Sequence, residues 1–168
     1  MQLAEINVAR LLYPLDDPRV AEFVANLDGV NALAEGSPGF VWRLKDEAGN
    51  ATQIRAYDDP LIIVNMSVWV SPEALYEFAY KTMHRRFVQR RKDWFHLFGA
   101  AYMALWWIED GRYPDVVEGR HRLAHLERFG PTVYAFHFRH LFEPDANARA
   151  LAEIRDGRAD PETYRLCG

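Results

Sequence analysis

The sequence predicts an α+β fold in which an antiparallel sheet carries its helices on one face in a ferredoxin-like, split βαβ arrangement. Three observations carry this. Segments at 3–12, 61–70 and 101–108 are apolar or alternate at a strand's period of two. Segments at 18–35, from 72 onward and at 116–129 carry apolar residues at helical spacing. The order of these elements is β-α-β-(β)-β-α-β, followed by α-β.

Leu3–Leu12 reads as the first strand, and the turn at 13–18 follows it. Asp17 before Pro18 supplies an N-cap with proline at the first helical position. The helix from Pro18 to about Glu35 has the stripe Val20, Phe23, Val24, Leu27, Val30 and Leu33, and 36–39 (GSPG) ends it. Phe40–Lys45 is a second strand, with Phe40, Trp42 and Leu44 pointing one way. A short edge strand is expected near Gln53–Tyr57.

Leu61–Val70 has the clearest strand pattern. Val64, Met66, Val68 and Val70 share one face; Ile63, Asn65, Ser67 and Trp69 share the other. Both faces read as at least half buried, so the sheet should be covered on both sides. Ser71 then caps a helix with Pro72 at its first position and Glu73 at its positive end. The spacing predicts one long amphipathic helix over 72–96. Its second half holds Lys81, Arg85, Arg86, Arg90, Arg91 and Lys92 with His84 among them and only Asp93 against them, although the chain carries a net charge of −4. Ala101–Ile108 is read as a central strand, Val116–Phe129 as a helix and Tyr134–Phe142 as a last strand. Residues 1–145 form one domain, and 146–168 a peripheral Ala- and Arg-rich tail.

Composition narrows the function classes. Aromatic residues are 14% of the chain, more than a minimal core requires, and such an excess lines pockets or interfaces. A single cysteine rules out an intrachain disulfide framework or a thiolate metal site and fits a cytoplasmic location. No apolar run reaches the ~20 residues of a membrane span, and the first residues lack the order of a secretory signal. Net acidity without a nucleic-acid motif argues against DNA or RNA as the partner. A small-molecule ligand is expected instead. An apolar second sheet face would be covered most simply by another copy of the sheet, giving a homodimer.

The segments LAEINVARLLYPLDDPRVAEFVANLDGVNALAEGSPGFVWRL (3–44), LIIVNMSVWVSPEAL (61–75), HRRFVQRRKDWF (84–95), ALWWI (104–108) and RFGPTVYAFHFRHLF (128–142) resemble the domain-of-unknown-function family 3291 over about residues 3–145. The resemblance implies a dimeric α/β barrel. That superfamily includes antibiotic-biosynthesis monooxygenases, haem-degrading oxygenases and, more distantly, chlorite dismutase and aldoxime dehydratase. It implies an oxidoreductase of the monooxygenase or haem-dependent kind acting on an aromatic or planar substrate. It leaves the cofactor open between haem and none, and a non-catalytic hydrophobic-ligand or haem binding protein with the same barrel is the alternative.

Candidate site residues follow. His84 borders the apolar stripe of its helix, near Phe87, and is the candidate acid/base or haem axial ligand. Arg91 lies four residues from Phe87 and three from Trp94, so its stem should follow the stripe and its guanidinium could clamp an anion. Asn7, Asn65 and Ser67 are polar positions in apolar strands and need partners, either each other or a ligand's oxygen. Trp42, Trp69, Phe87 and Trp106 are candidates for an aromatic pocket wall, the tryptophans set against a core or interface role. Glu118, His121 and His125 share one helix face at three- and four-residue spacing, a geometry able to hold a metal, although a solvated face is the simpler reading.

Overall fold

The structure, a computed structural model, describes residues 1–47, 49–81, 90–96, 101–146 and 149. It is built on a four-stranded antiparallel sheet of β1 (Gln2–Arg10), β2 (Phe40–Arg43), β3 (Ile62–Trp69) and β4 (Met103–Ile108). The spatial order is β2-β3-β1-β4. This is the strand order of a ferredoxin-like β-α-β-β-α-β unit. The β1 strand lies at the centre, with Glu5 opposite Ser67 on one side and Leu105 on the other.

Among the described residues three α-helices cover the sheet: α1 (Ala21–Glu35), α2 (Pro72–Lys81) and α3 (Val116–Phe129). The Asp17 carboxylate accepts the Arg19 N–H as expected of a cap, but the first turn, Pro18–Val20, is 3-10 and α1 begins after it. The Ser71 hydroxyl accepts the Ala74 N–H at 3.3 Å, with Pro72 opening α2. The Asp115 side chain caps α3 by accepting the Glu118 N–H at 2.7 Å.

Helices cover both sheet faces, where the sequence predicts them on one. On one, Leu3, Trp69, Leu105 and Trp107 pack with Ala34 of α1 and Leu75 of α2. On the other, Ala4, Ile6, Val64, Met66, Val68 and Trp106 pack with Leu123 and Leu126 of α3. Gly119 makes that second contact close: a Cβ there would sit 2.8 Å from Ile6 Cδ1 and 3.0 Å from Met66 Cε. This face therefore does not need a second copy of the chain to bury it, which removes the packing argument for a homodimer.

Several local expectations change. A bulge between Phe40 and Trp42 shifts the β2–β3 register, so Phe40 packs with Trp69 on one face while Trp42 packs on the other. The helix over 72–96 does not reach its expected end: Arg91–Asp93 is a 3-10 turn and Phe95 bridges to Leu11; residues 82–89 lie outside the described residues. Gln53–Tyr57 is turn and loop, and β4 is an outer strand. The 134–142 segment makes single bridges, Leu105–Phe136 and His137–His140, in place of a ladder. Val24, expected in the α1 stripe, is exposed. Among the described residues no helix is long and apolar enough to cross a membrane.

Candidate functional site

Between the α1/α2 face of the sheet and those helices lies a cavity of about 470 Å³. That is the size of a small-molecule site. Its floor is β1 and β3, through Asn7, Ala9, Ile63 and Asn65. Phe23, Leu27 and Val30 of α1 and Phe78, Ala79 and Tyr80 of α2 face it. Asn65 is exposed whereas Glu5 is only 2% exposed, so the cavity leads from the surface to a carboxyl group at the centre of the sheet.

Strand pairing produces the polar cluster around that carboxyl. Residues two apart on a strand share a face, which places Glu5 with Asn7 on β1 and Ser67 with Trp69 on β3. The Asn7 amide donates to Glu5 Oε1 at 2.5 Å, and the Ser67 hydroxyl donates to Glu5 Oε2 at 3.0 Å. The Trp69 indole N–H donates in turn to Ser67 Oγ at 2.9 Å. Burial pushes the Glu5 carboxyl up from its ordinary 4.5 to about 7, against the lowering effect of the Asn7 and Ser67 hydrogen bonds. Near neutral pH both its protonation states are populated.

The outer part of the cavity is aromatic. Tyr80 and Tyr102 line it, and the Tyr80 ring lies 4.7 Å from that of exposed Tyr76 and 6.2 Å from that of Phe138. Burial, with Tyr102 and Tyr76 beside it, pushes the Tyr80 phenol up, while Arg91 acts in the opposite direction. Arg91 is exposed and contributes to the same wall.

The candidates read from the sequence divide into four groups. Asn7, Asn65, Ser67 and Arg91 line the cavity. Trp69 lies on the same face but is wholly buried beneath Phe40 and Phe78, and reaches the cavity only through Ser67. Trp42 and Trp106, expected in the pocket wall, lie on the opposite face: the bulge turns Trp42 onto Tyr113, and α3 covers Trp106. His84 and Phe87 lie outside the described residues.

Glu5 was not among the sequence candidates. Its signal was a carboxylate two residues before Asn7 in a strand that otherwise alternates Leu, Ala and Ile. A Glu there reads as solvent-facing until the strand is known to be central and covered on both faces.

The Glu118–His121–His125 face is structural. Burial, which pushes the Glu118 carboxyl up, is outweighed by its bonds to Arg112 (2.6 Å) and Arg122 (2.8 Å), which hold it below its ordinary value. His125 is buried with Nε2 at 2.8 Å from Thr132 Oγ1, and His121 points outward. In the basic segment, Arg90 pairs with Glu22 of α1 and with Asp93, tying this turn to the first helix. A haem in the cavity would need an axial donor. The described lining residues include no histidine or cysteine; Tyr80, Tyr102 and Met103 are the lining residues of a type that can ligate a haem iron.

The fold and site together define an α+β sheet-and-helix domain with a cavity that ends at a buried carboxyl. Residues 2–152 match the model of the family described as Domain of unknown function (DUF3291), and the chain belongs to that family. No curated protein matches it. Solved structures with similarity include SnoaB, a cofactor-independent oxygenase from Streptomyces nogalater, at 15% identity and a TM-score of 0.44, covering 65% of this chain and 94% of that one. Another is PA3566 from Pseudomonas aeruginosa, at 13% identity and a TM-score of 0.41, covering 62% of this chain and 88% of that one.

Proposed function

We propose that this protein is a small-molecule enzyme of the monooxygenase kind in which Glu5 is the general base toward a planar, aromatic substrate bearing an acidic hydroxyl or C–H group. One observation carries the reading: a carboxyl that burial raises to about 7 lies at the inner end of a cavity whose other walls are largely apolar and aromatic. A base with its pKa near the working pH is the efficient one for proton abstraction. Asn7 and Asn65 are cross-strand partners on the cavity floor, and their amides can hold the oxygen on which charge develops. Arg91 can pair with an anionic substituent nearer the mouth.

Proton transfer to Glu5 leaves a substrate anion rich enough in electrons to reduce dioxygen. The overall change is a ring CH2 plus O2 giving C=O plus H2O, with the Glu5 proton returned to the water formed. Oxygen uptake by the full chain with aromatic substrates that carry an acidic ring CH2, and with phenols and quinols, tests this. Glu5→Gln should slow turnover by roughly 10²–10⁴-fold, the usual contribution of a general base, while ligand binding read by tryptophan fluorescence persists. Turnover unaffected by Glu5→Gln overturns the assignment.

A second reading, ligand binding without chemistry, draws on the fact that both Glu5 oxygens already have donors inside the protein. It predicts tight retention of aromatic ligands, no oxygen uptake with any of them, and equal affinity in Glu5→Gln.

A further inference from the structure

Trp69 is fixed by its neighbours. It is wholly buried, edge-on to Phe40 at 5.3 Å and close to parallel with Phe78 at 5.2 Å. Its indole N–H is 2.9 Å from Ser67 Oγ, and Ser67 Oγ is 3.0 Å from Glu5 Oε2. An indole N–H only donates, whereas a hydroxyl has one proton to give and two lone pairs to receive. With Trp69 donating to it, Ser67 has its single proton left for the carboxylate. If Ser67 instead accepted a proton from Glu5, its own hydrogen would lose this acceptor in a buried site, which is costly. The sequence of bonds from Trp69 through Ser67 to Glu5 therefore has a direction, and it favours the charged carboxylate.

We propose that Trp69 is a positioning residue for Glu5: its indole N–H commits the Ser67 hydroxyl to donating, and so holds the carboxylate ready to take a proton from a molecule in the cavity. This rests on the base reading above, but it can be tested without any substrate. Among the described residues the other ionisable groups facing the cavity are Tyr80 from α2, Arg91 from the 3-10 turn and Tyr102 just before β4. From α1 the cavity receives apolar residues and Asn31. None of these lies between Trp69 and Glu5, so a change at Trp69 should reach the carboxyl through Ser67.

The experiment is an NMR titration of the full chain labelled with carboxyl-¹³C glutamate, the Glu5 signal being the one missing in Glu5→Gln. Trp69→Phe should move the Glu5 midpoint up by about one pH unit, a tenfold rise in proton affinity. Ser67→Ala should move it at least as far. The double variant should match Ser67→Ala alone, because contributions that act through a shared partner do not add. In the unmutated protein the ¹⁵N indole signal of Trp69 should titrate at the Glu5 midpoint and stop doing so in Ser67→Ala, a readout that needs no change at Trp69. The proposal is overturned if the indole signal ignores the Glu5 titration. It is equally overturned if Trp69→Phe moves the midpoint as much without Ser67 as with it. Normal turnover in Glu5→Gln would refute the base reading alone and leave these titrations unchanged.

Discussion

Glu5→Gln should make this protein more stable at pH 8 than the unmutated chain by an amount that disappears in acid. Burial is the largest influence on Glu5 and raises its carboxyl from an ordinary 4.5 to about 7. The folded form therefore holds the proton more tightly than the unfolded form. Below the unfolded value both forms are protonated, and the buried carboxyl has no charge to desolvate. As pH rises from 4.5 toward 7 the unfolded chain loses its proton first, and stability falls by about 1.4 kcal/mol per pH unit. Above about 7 both forms are ionised and the full cost is in place. The gap between the two values corresponds to about 3 kcal/mol.

Glutamine has the same shape and cannot ionise, so it removes this slope. It keeps an oxygen for the Asn7 amide but presents N–H groups to Ser67, a mismatch worth about 1 kcal/mol that does not vary with pH. The assay is urea denaturation followed by far-UV circular dichroism at half-unit steps from pH 4.5 to 8, with the two proteins compared at each step so that other titrating groups cancel. The difference should shift by about 3 kcal/mol in favour of the variant across this range. A difference that stays flat would show that Glu5 titrates normally in the folded protein, and would remove the physical basis of the base assignment.

Gly119→Val should cost about 1–3 kcal/mol, the usual penalty for overfilling a core, because its Cβ meets Ile6 and Met66 at 3.0 Å or less. Gly29→Ala, with nothing within 4 Å of the added carbon in α1, should gain up to about 1 kcal/mol from helix propensity; thermal melts of both variants check the placement of α3 and the free surface of α1. Replacing His125 by Phe leaves the Thr132 hydroxyl without that partner and should destabilise the fold by about 1–2 kcal/mol without changing oxygen uptake. Haem titration followed by absorption tests His84 directly: a Soret band lost in His84→Ala would make this a haem protein, and absence of the band after reconstitution would end that version.

Most of the framework was legible because strand parity and helix caps are local. The helix at 116–129 and the alternation of 61–70 follow from spacing alone, and Asp17 and Ser71 cap as their types predict. What failed depends on the rest of the molecule. One inserted residue in β2 reverses the face of Trp42, and no spacing within 40–45 announces a bulge. The 134–142 stretch has strand composition, yet only Phe136 pairs with the sheet, through two backbone bonds to Leu105 of 2.8 and 2.9 Å. Asn7, Asn65 and Ser67 stood out as polar residues among apolar ones. Glu5 did not, because acidic residues on half-exposed strands are ordinary.

The position of Glu5 argues for its use. A leucine or methionine of similar volume on the central strand would remove a buried ionisable group and the pH-dependent cost worked out above; exchanging buried charges for apolar groups is often neutral or stabilising. The opposite face of the same strand does this: Ala4, Ile6 and Val8 are apolar and packed. On the cavity face three neighbours, Asn7, Ser67 and Trp69, spend their donors on a linked set of bonds that ends at the carboxylate. The Asn7 and Ser67 bonds lower the Glu5 pKa without cancelling the effect of burial. A purely structural carboxylate would be better served by a cation, and such partners are present elsewhere in the chain: Arg112 and Arg122 serve Glu118, and Arg10 serves Asp59. Neutral donors leave Glu5 poised near neutrality beside an open cavity, which is the condition a base needs and a scaffold does not.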